Sequence, residues 1–422
     1  MLPPDERRAF LTSLFDAAVT AADPAKVIAA HLPPLPKGRT IVIGAGKGAA
    51  QMAKALENHW EGPLSGVVVT RYGFGVACSR IEVLEASHPV PDEAGLFASR
   101  RLFKAVSNLT ADDLVIALIS GGGSALLPAP PEGMSLADEI AVNTALLSSG
   151  APISAMNAVR KHLSTIKGGR LAAAAYPARV VSLIVSDIPG DDPALVASGP
   201  TVPDNISRHD ALRAVERHRL LLPPMAMRHL ESEEATAPHP DDPRFAGNEV
   251  HIIESARVSL EAAAAEARRR GIEAVVLSDA IQGEAREIAH MHAALAIEVA
   301  KRDAPFRKPV VMLSGGETTV SLTGHGKGGR NSEFLLSLAI DLDGQPDISA
   351  IAADTDGIDG SQDNAGAFAD GTTVARLAAN SVDARALLDG NDSWSAFFAI
   401  GDLFSPGPTG TNVNDFRAML VE

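Results

Sequence analysis

At 422 residues, and with roughly 100 to 200 residues per domain, the chain has the length for two to four domains and a large core, which excludes a minimal disulfide-stapled scaffold. Its 37 Lys plus Arg against 52 Asp plus Glu leave a formal charge of −15; this disfavours non-specific binding to nucleic acid or to an anionic membrane, so an anionic ligand must be held by a local cluster of cations. With 46% hydrophobic residues, 36 Gly and 28 Pro but only 4% aromatics, the composition suits a globular enzyme and offers little of the stacking surface that RNA binders use.

The first residues, Met1-Leu2-Pro3-Pro4-Asp5-Glu6, carry acids where a signal peptide would be basic and apolar, and no apolar run approaches a membrane span. With a single cysteine, Cys78, read as a small core residue, the expectation is a cytoplasmic protein without disulfides. An amphipathic helix is predicted over about 6–22, followed by a second helix capped by Asp23 and Pro24. Strand, glycine turn, helix units follow. Arg39-Thr40-Ile41-Val42-Ile43 leads into Gly44-Ala45-Gly46-Lys47-Gly48-Ala49. Gly66-Val67-Val68-Val69-Thr70 is the next strand. Leu114 to Ile119 precedes Ser120-Gly121-Gly122-Gly123-Ser124, and Val180 to Val185 precedes Ser186-Asp187-Ile188-Pro189-Gly190-Asp191-Asp192. Alternation of this kind predicts a doubly wound parallel α/β sheet.

The Pro- and Glu-rich stretch over about 222–247 has linker composition, which divides the chain into domains 1–240 and 241–422. The second domain is again α/β, with strands expected at 250–253, 273–278, 310–313, 349–353 and 397–400, and helices at about 255–270 and 284–302.

Strand ends in such sheets collect ligands, because glycine turns and helix N-termini present N–H groups there. Gly44-x-Gly46-x-x-Ala49 fits a dinucleotide fingerprint, but the next strand ends in Thr70-Arg71 rather than the acid that an adenosine ribose needs, so only a phosphorylated dinucleotide stays open. It is not a Walker A loop. What remains is Lys47 beside a helix N-terminus, either a functional cation or a solvated surface lysine. Ser120-Gly121-Gly122-Gly123-Ser124 suits an anion cradle, with a plain flexible turn as the alternative. Beside Asn157, the four cations Arg160, Lys161, Lys167 and Arg170 form a cationic group or a solvated helix face. Asp187, Asp191 and Asp192 offer oxygen ligands to a hard cation such as Mg²⁺. The second domain adds Ser314-Gly315-Gly316-Glu317-Thr318, Gly324-x-Gly326-Lys327-Gly328-Gly329-Arg330-Asn331, Asp354-Thr355-Asp356-Gly357-x-Asp359-Gly360, Gly401-Asp402 and Gly407 to Asn412. A calcium loop at 354–365 lacks the EF-hand glutamate, since Ala365 stands there. Cations and carboxylates on glycine turns in both domains suit phosphoryl transfer, which relies on charge stabilisation and alignment.

Taken in order, these motifs, with Asn157-x-x-Arg160-Lys161-His162 and Ser198-Gly199-Pro200-Thr201, resemble the class II glycerate 2-kinases, the family carrying the MOFRL domain, over nearly the whole chain. The resemblance implies transfer of the γ-phosphoryl group of ATP to the 2-hydroxyl of D-glycerate with Mg²⁺, by a Rossmann-like N-terminal domain and a smaller α/β domain with the active site in the cleft between them. On this pattern Lys47 and Arg330 are the functional cations, contacting the glycerate carboxylate and the transferring phosphoryl group in an order left open. Ser120, Asn157 and Arg160 are expected to help bind substrate. Gly44, Gly46, Gly121, Gly122, Gly123, Ser124, Gly315, Glu317 and Asn331 are expected to hold ATP, and Asp187 or Asp191 to place Mg²⁺. Asp354 or Asp356 is expected to orient the nucleophile, with Glu317 and Asp187 as rivals. The expected partners are small molecules, with no nucleic acid and no membrane, in a monomer or small homo-oligomer. Relatives near tartrate-degradation genes have been called hydroxypyruvate reductases, and an NADP-dependent reductase using the Gly44 fingerprint with Arg71 is the alternative activity; a non-catalytic metabolite sensor is a third reading.

Overall fold

The computed structural model describes residues 2–188, 190–360, 362–409 and 411–422. Pro189 and Gly410, members of two of the turns above, lie outside the described residues. Strands β1 (Thr40–Ala45), β2 (Ser65–Arg71), β3 (Ile81–Ala86), β4 (Leu114–Ile119), β5 (Arg179–Val185) and β6 (Glu249–Glu254) form one sheet in the order β3-β2-β1-β4-β5-β6. The pairs from β3 across to β5 are parallel. This is the doubly wound order, whose direction reverses between β1 and β4. Both of those strands are buried along their whole length, which is why they read as unbroken apolar runs rather than alternating ones.

Strands β7 (Glu273–Glu284), β8 (Val310–Thr319), β9 (Ile348–Asp354), β10 (Gly366–Asp370), β11 (Leu403–Phe404) and β12 (Asp415–Val421) form a second sheet, ordered β11-β10-β9-β12-β8-β7. It is mixed. β7 and β8 run parallel, whereas β12 is antiparallel to both β8 and β9.

The chain forms two compact units, Pro24–Ile253 and the combination of Met1–Asp23 with Glu254–Glu422. This differs from a division at 240 in two respects. The opening helix Pro4–Ala21 belongs with the second sheet, where Phe10, Leu11, Leu14 and Phe15 share a core with Leu260, Leu313 and Phe416, and Phe15 meets the Phe404 ring edge-on at 5.0 Å. Arg7 fixes it further through Glu422 at 2.7 Å. Nor is 222–247 a loose linker. Helix Pro224–Glu231 buries Ala226 and Leu230, which join Val159, Leu163 and Ala235 in one cluster. Residues 397–400, expected as a strand, are the end of helix Ser393–Ile400, closed by Gly401 at φ 70°; four apolar residues are too few for either period to show. Cys78 is half-buried, outside the core.

His162 and His292 are buried, with Nδ1 bonded to Ala158 O at 2.9 Å and to Ile288 O at 2.8 Å. Burial is the main reason each has a pKa pushed down to about 4. An unfolded histidine near 6.5 takes up a proton first as pH falls, so the contribution of each neutral histidine to stability is constant above neutrality and is lost between pH about 6.5 and 4, by about 2 kcal/mol for each at pH 5. Urea unfolding at pH 7.5 and pH 5 is expected to show this loss as the difference between the parent and the His162→Gln, His292→Gln double variant, a comparison that cancels the opposite contribution of the buried Glu254 carboxyl, whose pKa is pushed up to about 9. An unchanged slope in the double variant would assign the acid sensitivity elsewhere.

Candidate active site

The reversal between β1 and β4 brings two glycine turns together, and backbone bonds stitch them. Lys47 N–H donates to Gly121 O at 2.8 Å, Ser120 N–H to Ala45 O at 3.0 Å, and Gly48 N–H to the Ser120 hydroxyl at 2.9 Å. Ser120 is therefore a buried strut between the turns. Gly44 lies within β1, and Gly46 N–H donates to Val69 O at 3.1 Å. Gly122 stands at φ 81°, and a Cβ there would touch both the His88 imidazole and Lys47 Cγ at 3.2 Å. A Cβ at Gly121 would fall on the Asp187 carboxylate. Lys47, His88, Asp187 and the Gly121 turn thus share one end of the sheet. His88 has its pKa pushed down to about 4, first by burial and then by Lys47 and Arg71. It is a neutral imidazole beside two cations.

Other expected site residues lie behind this surface. Ser198 donates to Asn157 Oδ1 at 3.0 Å, and the Ser124 and Ser198 hydroxyls are 2.7 Å apart; the Asn157 amide donates to Leu195 O at 3.2 Å. Asn157 is buried and supports the turn through Ser198. The four cations of 160–170 form no solvated face. Arg160 donates to Asn143 Oδ1 at 2.8 Å in a recess it shares with Glu139 and Leu163. Lys161 pairs with Asp204, Lys167 with Glu139 at 2.8 Å, and Arg170 donates to Lys161 O at 2.7 Å and Ala235 O at 2.9 Å. Asp191 is part-buried on a left-handed turn at φ 54°. Arg71 lies over the Phe74 ring at 4.3 Å.

In the other unit, antiparallel register sets Asp415 opposite both Gly316 and Asp354. Arg330, first residue of helix Arg330–Asp341, meets them there: Nε donates to Asp415 Oδ1 at 2.6 Å, Nη2 to Asp354 Oδ2 at 2.8 Å and Nη1 to Glu317 Oε1 at 3.4 Å. The helix N-terminus itself is already satisfied. Asp359 accepts from Asn331 N–H at 2.9 Å, Ser332 N–H at 2.8 Å and the Ser332 hydroxyl at 2.6 Å. Its close approach requires Gly329, where a Cβ would collide with it. Gly315 lies inside β8, opposite Phe416, and so helps form the sheet. Asn331 is buried, its amide donating to Asp415 Oδ1 at 2.9 Å. Asp356 is part-buried, and its Oδ1 accepts from Ile358 N–H at 2.8 Å. Asp402, expected among the ligand turns, instead pairs with Arg8 and Arg376.

Arg330, Asp354, Gly328, Gly329, Asn391 and Thr318 are among the residues lining an open pocket of about 320 Å³. Burial drives Asp354 well above the usual carboxylate range; Arg330 opposes this, while Asp356 and Asp415 add to it. Burial also acts on Asp415, but the Arg417 and Arg330 guanidiniums outweigh it and hold that carboxyl low. Of the two carboxylates on Arg330 Nε and Nη2, Asp415 is therefore the more firmly ionised and Asp354 the one that takes a proton more readily.

Residues 10–231 match a family described as a domain of unknown function (DUF4147), and residues 310–415 match the MOFRL family. The chain is 38% identical to the D-glycerate 2-kinase of Thermotoga maritima over 100% of both proteins. The chain belongs to the glycerate 2-kinase family. A crystal structure of a Thermotoga maritima glycerate kinase superposes with a TM-score of 0.91 at 38% identity, covering 99% of this chain and 100% of that one. An Agrobacterium vitis protein provisionally named hydroxypyruvate reductase is 51% identical over 98% of this chain and 94% of its own length. Two residues that the motifs did not single out join these clusters, one in each unit. Asp415 arrives by strand register, and His88 by the turn after β3. The sequence signal for His88 was available in Ser87-His88-Pro89-Val90-Pro91-Asp92, a polar, proline-rich segment directly following a strand. Among the described residues, no helix is long and apolar enough to cross a membrane.

Proposed function

We propose that the protein is an ATP-dependent D-glycerate 2-kinase, releasing 2-phosphoglycerate and ADP in the cytoplasm. The observation that carries this is the stitched pair of turns at the strand reversal, with Lys47 and the Asp187 carboxylate over Gly121–Gly123, in a chain related end to end to a D-glycerate 2-kinase. The N–H groups of that turn suit the phosphates of ATP. Ser124 adds less, since Ser198 donates onward to Asn157 and leaves the Ser124 proton to Ser198.

In the transfer, the 2-hydroxyl oxygen bonds to the γ-phosphorus, the bond to the β–γ bridging oxygen breaks, and the hydroxyl proton passes to a base. Asp354 fits that last task, because burial raises its pKa and makes the carboxylate a stronger proton acceptor than an exposed one; Asp356 orients it through its own N–H, which donates to Asp354 Oδ1 at 3.1 Å. Lys47 and Arg330 supply the positive charge, one to the carboxylate of glycerate and one to the phosphoryl oxygens. Among the described residues no three His, Cys, Asp or Glu side chains converge on a metal position. Asp187 or Asp191 would hold Mg²⁺, directly or through water, since this ion is commonly bound by one or two carboxylates together with substrate phosphates. When bound, the ion would neutralise charge on the phosphates.

The reductase reading is weaker, because it draws on Arg71 and the Gly44 turn and gives the Arg330, Asp354 and Asp415 cluster no task. The test is to mix the protein with D-glycerate, ATP and Mg²⁺, couple the product to enolase without a mutase, and run NADPH with hydroxypyruvate in parallel. Enolase accepts only the 2-phosphate isomer, so signal in the first assay, lost without Mg²⁺, is the expected result. NADPH oxidation with a silent first assay would overturn the proposal.

A further inference from the structure

Arg417 is the largest fully buried side chain in the molecule, 1% exposed, and no motif pointed to it. It lies two residues from Asp415 on β12, opposite Ser314 and Ala352, so it projects from the same face of the sheet as Asp415. Its guanidinium stands over the Phe334 ring at 5.0 Å. Nη2 donates to the Thr318 hydroxyl at 2.9 Å and to Asp415 Oδ2, while Nε and Nη1 have no hydrogen-bond partner. A buried guanidinium with unmet donors is costly, and an apolar side chain of similar volume commonly packs as well or better. Sheet packing alone does not account for an arginine here.

Asp415 accounts for it. The two carboxylate oxygens have separate duties. Oδ2 accepts from Arg417, from Thr318 N–H at 3.1 Å and from the Thr318 hydroxyl at 3.2 Å. Oδ1 accepts from Arg330 Nε at 2.6 Å and the Asn331 amide at 2.9 Å. Saturating Oδ2 fixes the plane of the carboxylate and hence the line along which Oδ1 holds Arg330. It also balances charge: Arg417 and Asp415 cancel, so Asp415 orients Arg330 without consuming its positive charge. We propose that Arg417 is a positioning residue for Arg330, acting through Asp415 and Thr318 to hold that guanidinium rigid and available to an anion. This rests on Arg330 being a functional cation, as proposed above.

The test is a double-mutant cycle on the full-length protein, reading kcat and KM in the enolase-coupled assay, with melting temperature and circular dichroism as fold checks. Arg417→Met keeps the volume and leaves Asp415 paired to Arg330. It is expected to lower kcat/KM about 10- to 100-fold, the range typical when a supporting contact behind a functional group is lost, and to move the same parameter, kcat or KM, that Arg330→Ala moves. On the Arg330→Ala background it is expected to add less than about threefold, because the two act as one unit. Arg417→Lys, which keeps the charge, should recover part of the loss. If Arg417→Met does not fold, Thr318→Val removes the hydroxyl from both Arg417 and Asp415 while leaving every charge, and should give a smaller loss of the same kind. Near-normal activity in Arg330→Ala would overturn the functional reading and this inference with it. Loss in Arg330→Ala with full activity in Arg417→Met or Thr318→Val, or losses that simply multiply, would overturn this inference alone.

Discussion

Arg330→Ala is expected to lower kcat/KM about 10³-fold, the scale on which phosphoryl transfer depends on a guanidinium at the reacting group. The geometry also predicts a stability cost. Asp354 and Asp415 have side chains 9% and 0% exposed, and removing Arg330 leaves Asp415 with Arg417 but leaves Asp354 without its guanidinium. Asp354 can respond by taking a proton, since burial already holds it above its usual range. The variant is therefore expected to fold with a lowered melting temperature, and to lose more stability at high pH, where keeping that proton costs more. Arg330→Lys keeps a cation but not the fork that addresses Asp415 and Asp354 together, so it should recover stability better than activity. Steady-state kinetics beside thermal melts at pH 6 and pH 8 check this. A variant with near-normal kcat/KM would remove Arg330 from the chemistry and leave it as an ion-pair hub alone.

What the sequence made legible was local. Leu114 to Ile119 is a strand to the residue, because a strand buried on both faces is an unbroken apolar run ending at a glycine turn. The turns at Gly44 and Ser120 could be placed at strand ends for the same reason, and the doubly wound order then brings them together. Charge was less legible, since a sequence shows a cation but not its partner. Lys161 and Lys167 stand in a basic cluster, while their partners Asp204 and Glu139 lie 43 and 28 residues away.

Asp415 illustrates the limit. It follows Asn412-Val413-Asn414 with no glycine signature, and it reaches Arg330 only because β12 inserts antiparallel between β8 and β9. Such a pairing depends on the whole sheet. Slippage by one residue would turn Asp415 and Arg417 to the opposite face. The opening helix was misplaced for a related reason: an amphipathic stripe states that a face is buried, not which sheet buries it.

Lys47→Met separates charge from scaffold more cleanly than any change at Arg330. The loop around Lys47 is held by its main chain, with N–H to Gly121 O at 2.8 Å and its own carbonyl accepting from the Thr70 hydroxyl at 3.1 Å. Methionine keeps the methylenes that pass beside Gly122 and removes only the ammonium. The melting temperature should hardly change, while kcat/KM falls about 10²- to 10³-fold, as when one donor to a developing charge is lost. His88 provides an independent reading of the same ammonium. Burial is the larger cause of its low pKa and stays in place, but the repulsion from Lys47 is gone, so His88 should titrate higher than its value of about 4 in the parent protein. Proton NMR of the imidazole follows this in the absence of any substrate. Activity lost with an unmoved His88 would mean that the ammonium acts on substrate from a position away from His88. Activity retained with a shifted His88 would place Lys47 where the structure has it and deny it a part in phosphoryl transfer.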